Sequence, residues 1–169
     1  AGRLAANDDR IVLRARRSEA VYEKELRRLG LERLIIVADA VSNYEALREQ
    51  TEADGLLLFQ GSRFDHQIPA KVYEYLRVGR PILALVSPDG DTATLLRETG
   101  GALLAPMDDV PAIEQGVMAF IDALRAGREP KATDDVVQRY SRYRGAVALA
   151  ELLDSVAQAN PDGFDAGIR

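Results

Sequence analysis

Short apolar runs alternate along this chain with segments whose apolar residues recur at helical spacing, and that rhythm limits its fold more than any other feature. Strand-like runs stand at "RIVLRA" (10–15), "RLIIVAD" (33–39), "GLLLF" (55–59), "PILALV" (81–86) and "ALLA" (102–105). Helical periods lie between and after them: 19–29 closed by Gly30, a stretch capped by Ser42, then 69–77, 91–99 ended by Gly100 and Gly101, and 108–126. Strands alternating with helices predict an α/β fold, a Rossmann-like doubly wound parallel sheet. The run "GLLLF" is wholly apolar, which predicts a central strand. Ser42 with Glu45 three positions on reads as a capping box. A single last helix is predicted from Asp134 to Ala157, and 158–169 as a disordered tail, leaving 1–157 as one domain.

Composition narrows the function. The 169 residues include 22 basic and 27 acidic side chains, a net charge of −5 that argues against nucleic acid as the partner. Arg14, Arg16, Arg17, Lys24, Arg27 and Arg28 make the N-terminal segment locally basic, read as a solvated helix face in preference to a patch for an anionic membrane or partner. With no cysteine and one histidine there is no disulfide scaffold, no thiolate metal site and little basis for an imidazole zinc site. No apolar run reaches the roughly 20 residues of a membrane span, and no signal-peptide pattern opens the chain. A soluble, cytoplasmic protein is expected, or one peripheral at the inner face of a membrane. A start at Ala1 predicts a piece of something longer.

The stretch "DHQIPAKVYEYLRVGRPILAL" (65–85) concentrates the chemistry. Pro69 presets φ where a helix begins and lacks an N–H that would be unpaired there, so the helix is expected to open near Gln67 or Ile68. Its free amides then point into the loop after "GLLLF", where open α/β sheets bind ligands and where a phosphate is favoured. Lys71 and Glu74 share one side of this helix, Val72 and Leu76 another. Two readings of the pair remain open: an exposed ion pair, or a lysine for phosphate beside a carboxylate for paired ribose hydroxyls.

From "ADGLLLFQGSRFDHQIPAKVYEYLRVGRPILAL" onward to "GGALLAPMDD", the chain resembles the C-terminal, donor-binding half of GT-B glycosyltransferases of the family 4 kind. The upstream strand and helix units and the closing "YSRYRGAVALAELLDSV" resemble the same half, and the most specific element is "PAKVYEYL" followed by "GRPIL". The resemblance implies a retaining glycosyltransferase that moves a hexose from a UDP- or GDP-sugar to a sugar or lipid-linked acceptor, without a cofactor or metal. It implies Glu74 at the ribose, the backbone of Ile68, Pro69 and Ala70 at the diphosphate or donor sugar, Val41 near the base, and Lys71 lining the site. The partners implied are the nucleotide-sugar donor and a missing N-terminal acceptor domain.

The chain departs from that pattern at three places. Where the family carries a second glutamate, eight positions before Glu74, this chain has His66, read either as a sugar or phosphate ligand or as a plain loop histidine. "RARR" replaces a glycine after the strand matched by "RIVLRA". The family's first βα unit, with its diphosphate-binding Arg and Lys, is not in this sequence. The sheet is therefore expected to close by pairing "RIVLRA" with "GLLLF", or to be completed by self-association, and the isolated chain to be inactive in transfer.

Other constellations are weaker. "LIIVADAVSNYEALRE" resembles the start of a response-regulator receiver with Asp39 as a metal-binding acid, but "GLLLFQGS" supplies no phospho-acceptor aspartate. Asp89, Asp91, Asp108 and Asp109 suggest a metal, yet Asp91 and Asp108 or Asp109 stand where helix caps belong. Ser62 and Ser87 have only His66 to serve as base, against a serine hydrolase. The rival from another class is a non-catalytic Rossmann-like interaction or regulatory module. An upstream α/β segment of about 150 to 200 residues would favour the enzyme.

Overall fold

The computed structural model describes residues 9–14 and 19–159, and divides into two compact units that meet in sequence between Glu52 and Ala53. The predicted tail thus lies outside the described residues from 160 on, while 158 and 159 belong to the last helix.

The first unit carries β1 (Ile11–Arg14), α1 (Glu19–Leu29), β2 (Ile35–Ala38) and α2 (Asn43–Glu52). β1 and β2 pair in parallel, Ile11 opposite Ile35 and Leu13 opposite Val37. α1 ends where Gly30 takes φ +68°, a left-handed conformation cheap only for glycine, and Leu31 N–H turns back to the Leu26 carbonyl at 2.9 Å. α2 opens with the expected capping box: Ser42 N–H donates to Glu45 Oε2 at 3.0 Å and Glu45 N–H to Ser42 Oγ at 3.2 Å. Arg14, on β1, forks onto the Glu49 carboxylate of α2 and donates to the Asp39 carbonyl at 2.7 Å. Arg27 and Arg28 pair with Glu23 and Glu25 along α1. Arg27 and Arg28 are therefore partnered on an exposed helix face, whereas Arg14 is on a strand; Arg16 and Arg17 lie outside the described residues.

The second unit runs β3 (Leu56–Phe59), a 3-10 turn (Ser62–Phe64), α3 (Ala70–Val78), β4 (Ile82–Leu85), α4 (Asp91–Thr99), β5 (Ala102–Ala105), α5 (Val110–Arg125), α6 (Asp134–Arg139) and α7 (Arg142–Ala159). Its strands are parallel in the order β3-β4-β5. Side chains alternate between two faces. Leu56, Leu58, Ile82, Ala84 and Val86 meet Val72 and Leu76 of α3 and Ala93 and Leu96 of α4. Leu83, Leu85 and Ala105 meet Phe120 of α5 on the other face. Helices thus cover both sides of the sheet, the arrangement that a parallel sheet requires. Val72 and Leu96 are fully enclosed, and burying a side chain of this size contributes about 1.5–3 kcal/mol. The chain is α/β with parallel strands in two sheets, compatible with a Rossmann-like fold.

Two expectations are corrected. Among the described residues β3 is not central: it pairs with β4 alone, and β4, buried at all four positions, is the middle strand of its sheet. β1 and β2 form one sheet, and β3, β4 and β5 another. The last helix is two helices, because Tyr140 leaves helical geometry at φ −96°, ψ 14° and the Ser141 hydroxyl accepts from Arg144 N–H at 3.3 Å to start α7. No helix among the described residues is long and apolar enough to cross a membrane.

Candidate functional site

A glutamine, Gln60, follows β3 directly. Strand alternation puts Gln60 on the face of Leu56 and Leu58, so a polar side chain enters the layer beneath α3 and α4, with only 6% of its surface exposed. Its Nε2 donates to two carbonyls of the following loop, Phe64 at 2.6 Å and Gln67 at 2.7 Å. The loop from Gly61 to Pro69 is wound around that amide by its own turns, Phe64 N–H to Gly61 O, Asp65 N–H to Ser62 O and Gln67 N–H to Phe64 O, at 3.0 to 3.2 Å. α4 ties it from the other side: Thr92 Oγ1 donates to the Gln67 carbonyl at 3.1 Å and Asp91 N–H to the Asp65 carbonyl at 2.8 Å.

This fixed loop delivers the chain to α3. The helix begins at Ala70, later than the expected Gln67 or Ile68, with Pro69 as N-cap at φ −61°, ψ 140°. Proline fixes its own φ and its extended ψ holds the chain outside the helix, which sets the boundary. Val72 N–H turns back to the Pro69 carbonyl at 2.9 Å, but no side chain caps the first turn and none of its residues is acidic. The amides of Ala70 and Lys71 precede the first possible intrahelical bond, so they are the donors left for an external acceptor. A lysine here opposes the helix dipole unless an anion or a carboxylate answers it. At the other end Gly79, at φ +74°, donates to the Tyr75 and Leu76 carbonyls and closes the helix.

In the structure, Glu74 answers the lysine. Lys71 Nζ donates to Glu74 Oε2 at 2.7 Å, with 45% and 39% of the two side chains exposed, and stands 5.9 Å from the centre of the Tyr75 ring. Burial pushes the Tyr75 phenol up from its ordinary value, partly offset by the positive charge of Lys71. His66 is exposed on the loop, and Ile68 and Pro69 are half-buried before the helix. His66, Ile68, Pro69, Ala70, Lys71 and Glu74 therefore occupy one loop and the helix it feeds. Val41 lies in the first unit, half-buried in the connection between β2 and α2.

A groove of about 310 Å³ lies beside α3, between it, α4 and the end of α6, lined by Tyr73, Thr94, Glu98 and Tyr140 among others. Of the expected site residues only Ile68 borders it. Tyr140 donates to Glu98 Oε2 at 3.1 Å, and burial first, then that contact, raises its phenol. No group of three His, Asp or Glu side chains that could hold a metal ion occurs among the described residues. Asp109 instead caps α5, its carboxylate accepting from Ala112 N–H at 3.0 Å, whereas Asp91 is the first helical residue of α4 and Gly90 its cap.

Gln60 and Thr92 escaped the sequence reading. The available signal was parity: a glutamine two residues after Leu58 continues the buried face of β3 and therefore needs polar partners. Comparisons of the chain with protein-family models, with curated proteins and with solved structures each find no match.

Proposed function

We propose that the chain is the nucleotide-sugar-binding part of a retaining glycosyltransferase that transfers a hexose from a UDP- or GDP-linked donor to a sugar or lipid-linked acceptor. The observation carrying this reading is the first turn of α3: uncapped, without an acidic residue, with a lysine at its second position, and reached by a loop whose Gln67 carbonyl is held by both Gln60 and Thr92. Amides of Ala70 and Lys71 and the Lys71 ammonium favour a diphosphate, and stabilise it as leaving group when the glycosidic bond breaks. Glu74, one turn on, accepts hydrogen bonds from ribose hydroxyls. His66, Ile68 and Pro69 line the approach to the donor sugar. The acceptor is held by a further domain, and the whole enzyme works in the cytoplasm or at the inner face of a membrane.

A second reading, a non-catalytic interaction or regulatory module, draws on the Lys71–Glu74 contact, in which each charge already has its partner. Calorimetry separates the two. UDP or GDP should bind more tightly than uridine or guanosine, and added salt should erode the difference. A nucleoside that binds as well as its diphosphate favours the module.

A further inference from the structure

The buried amide of Gln60 has an orientation that its surroundings dictate. Two carbonyl oxygens, of Phe64 and Gln67, lie 2.6 and 2.7 Å from one end of it, and only the NH2 end can face both. The other end, Oε1, is consequently buried with no protein donor among the described residues. A side chain needed only to fill this layer would be apolar, as Leu56 and Leu58 are on the same face, and would leave no acceptor unpaired. What the glutamine adds is a clamp from Phe64 to Gln67 of the loop, and Thr92, only 1% exposed, closes a second bond on the same Gln67 carbonyl. That carbonyl stands two residues before the N-cap of α3.

We propose that Gln60, assisted by Thr92, is a positioning residue that presets the loop 61–69 so that the first amides of α3 meet a diphosphate without a cost of ordering. It rests on the nucleotide-sugar reading above and deepens it: Gln60 acts through the loop and touches no ligand. A preset loop strengthens binding of the phosphates and leaves the nucleoside contribution alone. A merely structural residue would shift stability, or both ligands alike.

The test is calorimetry of UDP against uridine, and GDP against guanosine, on the wild-type chain, on Gln60→Met, which keeps length and loses both donors, and on Thr92→Val, which keeps shape and loses one. Gln60→Met should weaken diphosphate binding by about tenfold, and Thr92→Val by a smaller factor, with the nucleosides unchanged. If the wild-type chain shows no preference for the diphosphate, the nucleotide reading falls and takes this role with it. If the wild type shows the preference and both variants retain it, Gln60 and Thr92 are not positioning residues, and the nucleotide reading stands. Should Gln60→Met fail to fold, the Thr92→Val ratio of diphosphate to nucleoside affinity decides alone.

Discussion

Lys71 Nζ sits 2.7 Å from Glu74 Oε2 in the first turns of α3, an i,i+3 contact between two side chains that are each roughly 40% exposed. Exposed pairs of this kind contribute about 0.2–1 kcal/mol, so the contact does little for the fold. Its position matters more, because it keeps a cation and a carboxylate oriented beside a helix end with free amides. Glu74→Gln should leave the melting temperature nearly unchanged and weaken nucleoside diphosphate binding by about 1–2 kcal/mol, as a charged acceptor is replaced by a neutral one. Calorimetry and thermal melting on the same preparation read both quantities. Equal affinity in the two proteins would return Glu74 to a surface ion pair.

The capping box of α2 supplies a pH dependence. The Ser42 hydroxyl first, and the Ser42 amide second, hold the Glu45 carboxyl below its ordinary value. A folded value depressed in this way means that the contact is complete above the unfolded glutamate value of about 4.3 and is lost as pH falls through the folded one. Glu45→Ala should therefore be less stable than the wild type at neutral pH, with the two denaturation midpoints converging in acid. Ser42→Ala removes the reciprocal half of the box and should cost about 1 kcal/mol at neutral pH. A Glu45→Ala deficit that stays constant from neutral pH to acid would contradict the assignment.

Where α5 crosses β5, Gly116 is buried and a Cβ placed on it would stand 2.8 Å from the Ala105 Cβ. In an open helix, glycine to alanine stabilises by about 0.5–1 kcal/mol. Here the neighbour is a strand methyl that cannot rotate away, so Gly116→Ala should instead destabilise, by about 1–3 kcal/mol. Moving the space across the interface checks the cause: Gly116→Ala with Ala105→Gly should recover part of the loss in urea denaturation. A double variant as unstable as the sum of the singles would point to something other than this contact.

How far these features can be read from sequence depends on whether their cause is local. The α/β rhythm, the Ser42–Glu45 box, and the glycines closing α1 and α4 are each set by residues within one turn of each other, and each is found where expected. The break between α6 and α7 is also local, but neither glycine nor proline marks it; a serine hydroxyl starts the second helix, and serine inside an apolar pattern reads equally well as a surface residue. The place of β3 fails for another reason. Four apolar residues report burial on two faces, whereas the number of strand neighbours depends on topology that no single run encodes. At the candidate site Lys71 and Glu74 announce themselves by spacing. Gln60 does not, because its partners lie four and seven residues on, in a loop whose shape exists only once the glutamine holds it.

β3 supports a last prediction. Among the described residues it hydrogen-bonds to β4 on one side only, and its sequence, Leu56 to Phe59, contains no charge, no proline and no bulge. Edge strands ordinarily carry such features, since a bare apolar edge is a template for another chain. Phe59, at the end of the strand, is 49% exposed, so a charge there meets solvent and not the core. The wild-type chain is therefore expected to self-associate as its concentration rises from the micromolar toward the millimolar range, where exposed edges drive association. Phe59→Lys should shift the weight-average mass toward that of one chain, while a surface substitution of this kind changes stability by no more than about 0.5 kcal/mol. Light scattering across a concentration series measures the mass, and urea denaturation the stability. A wild-type chain that stays monodisperse at one-chain mass throughout the series would sink the idea.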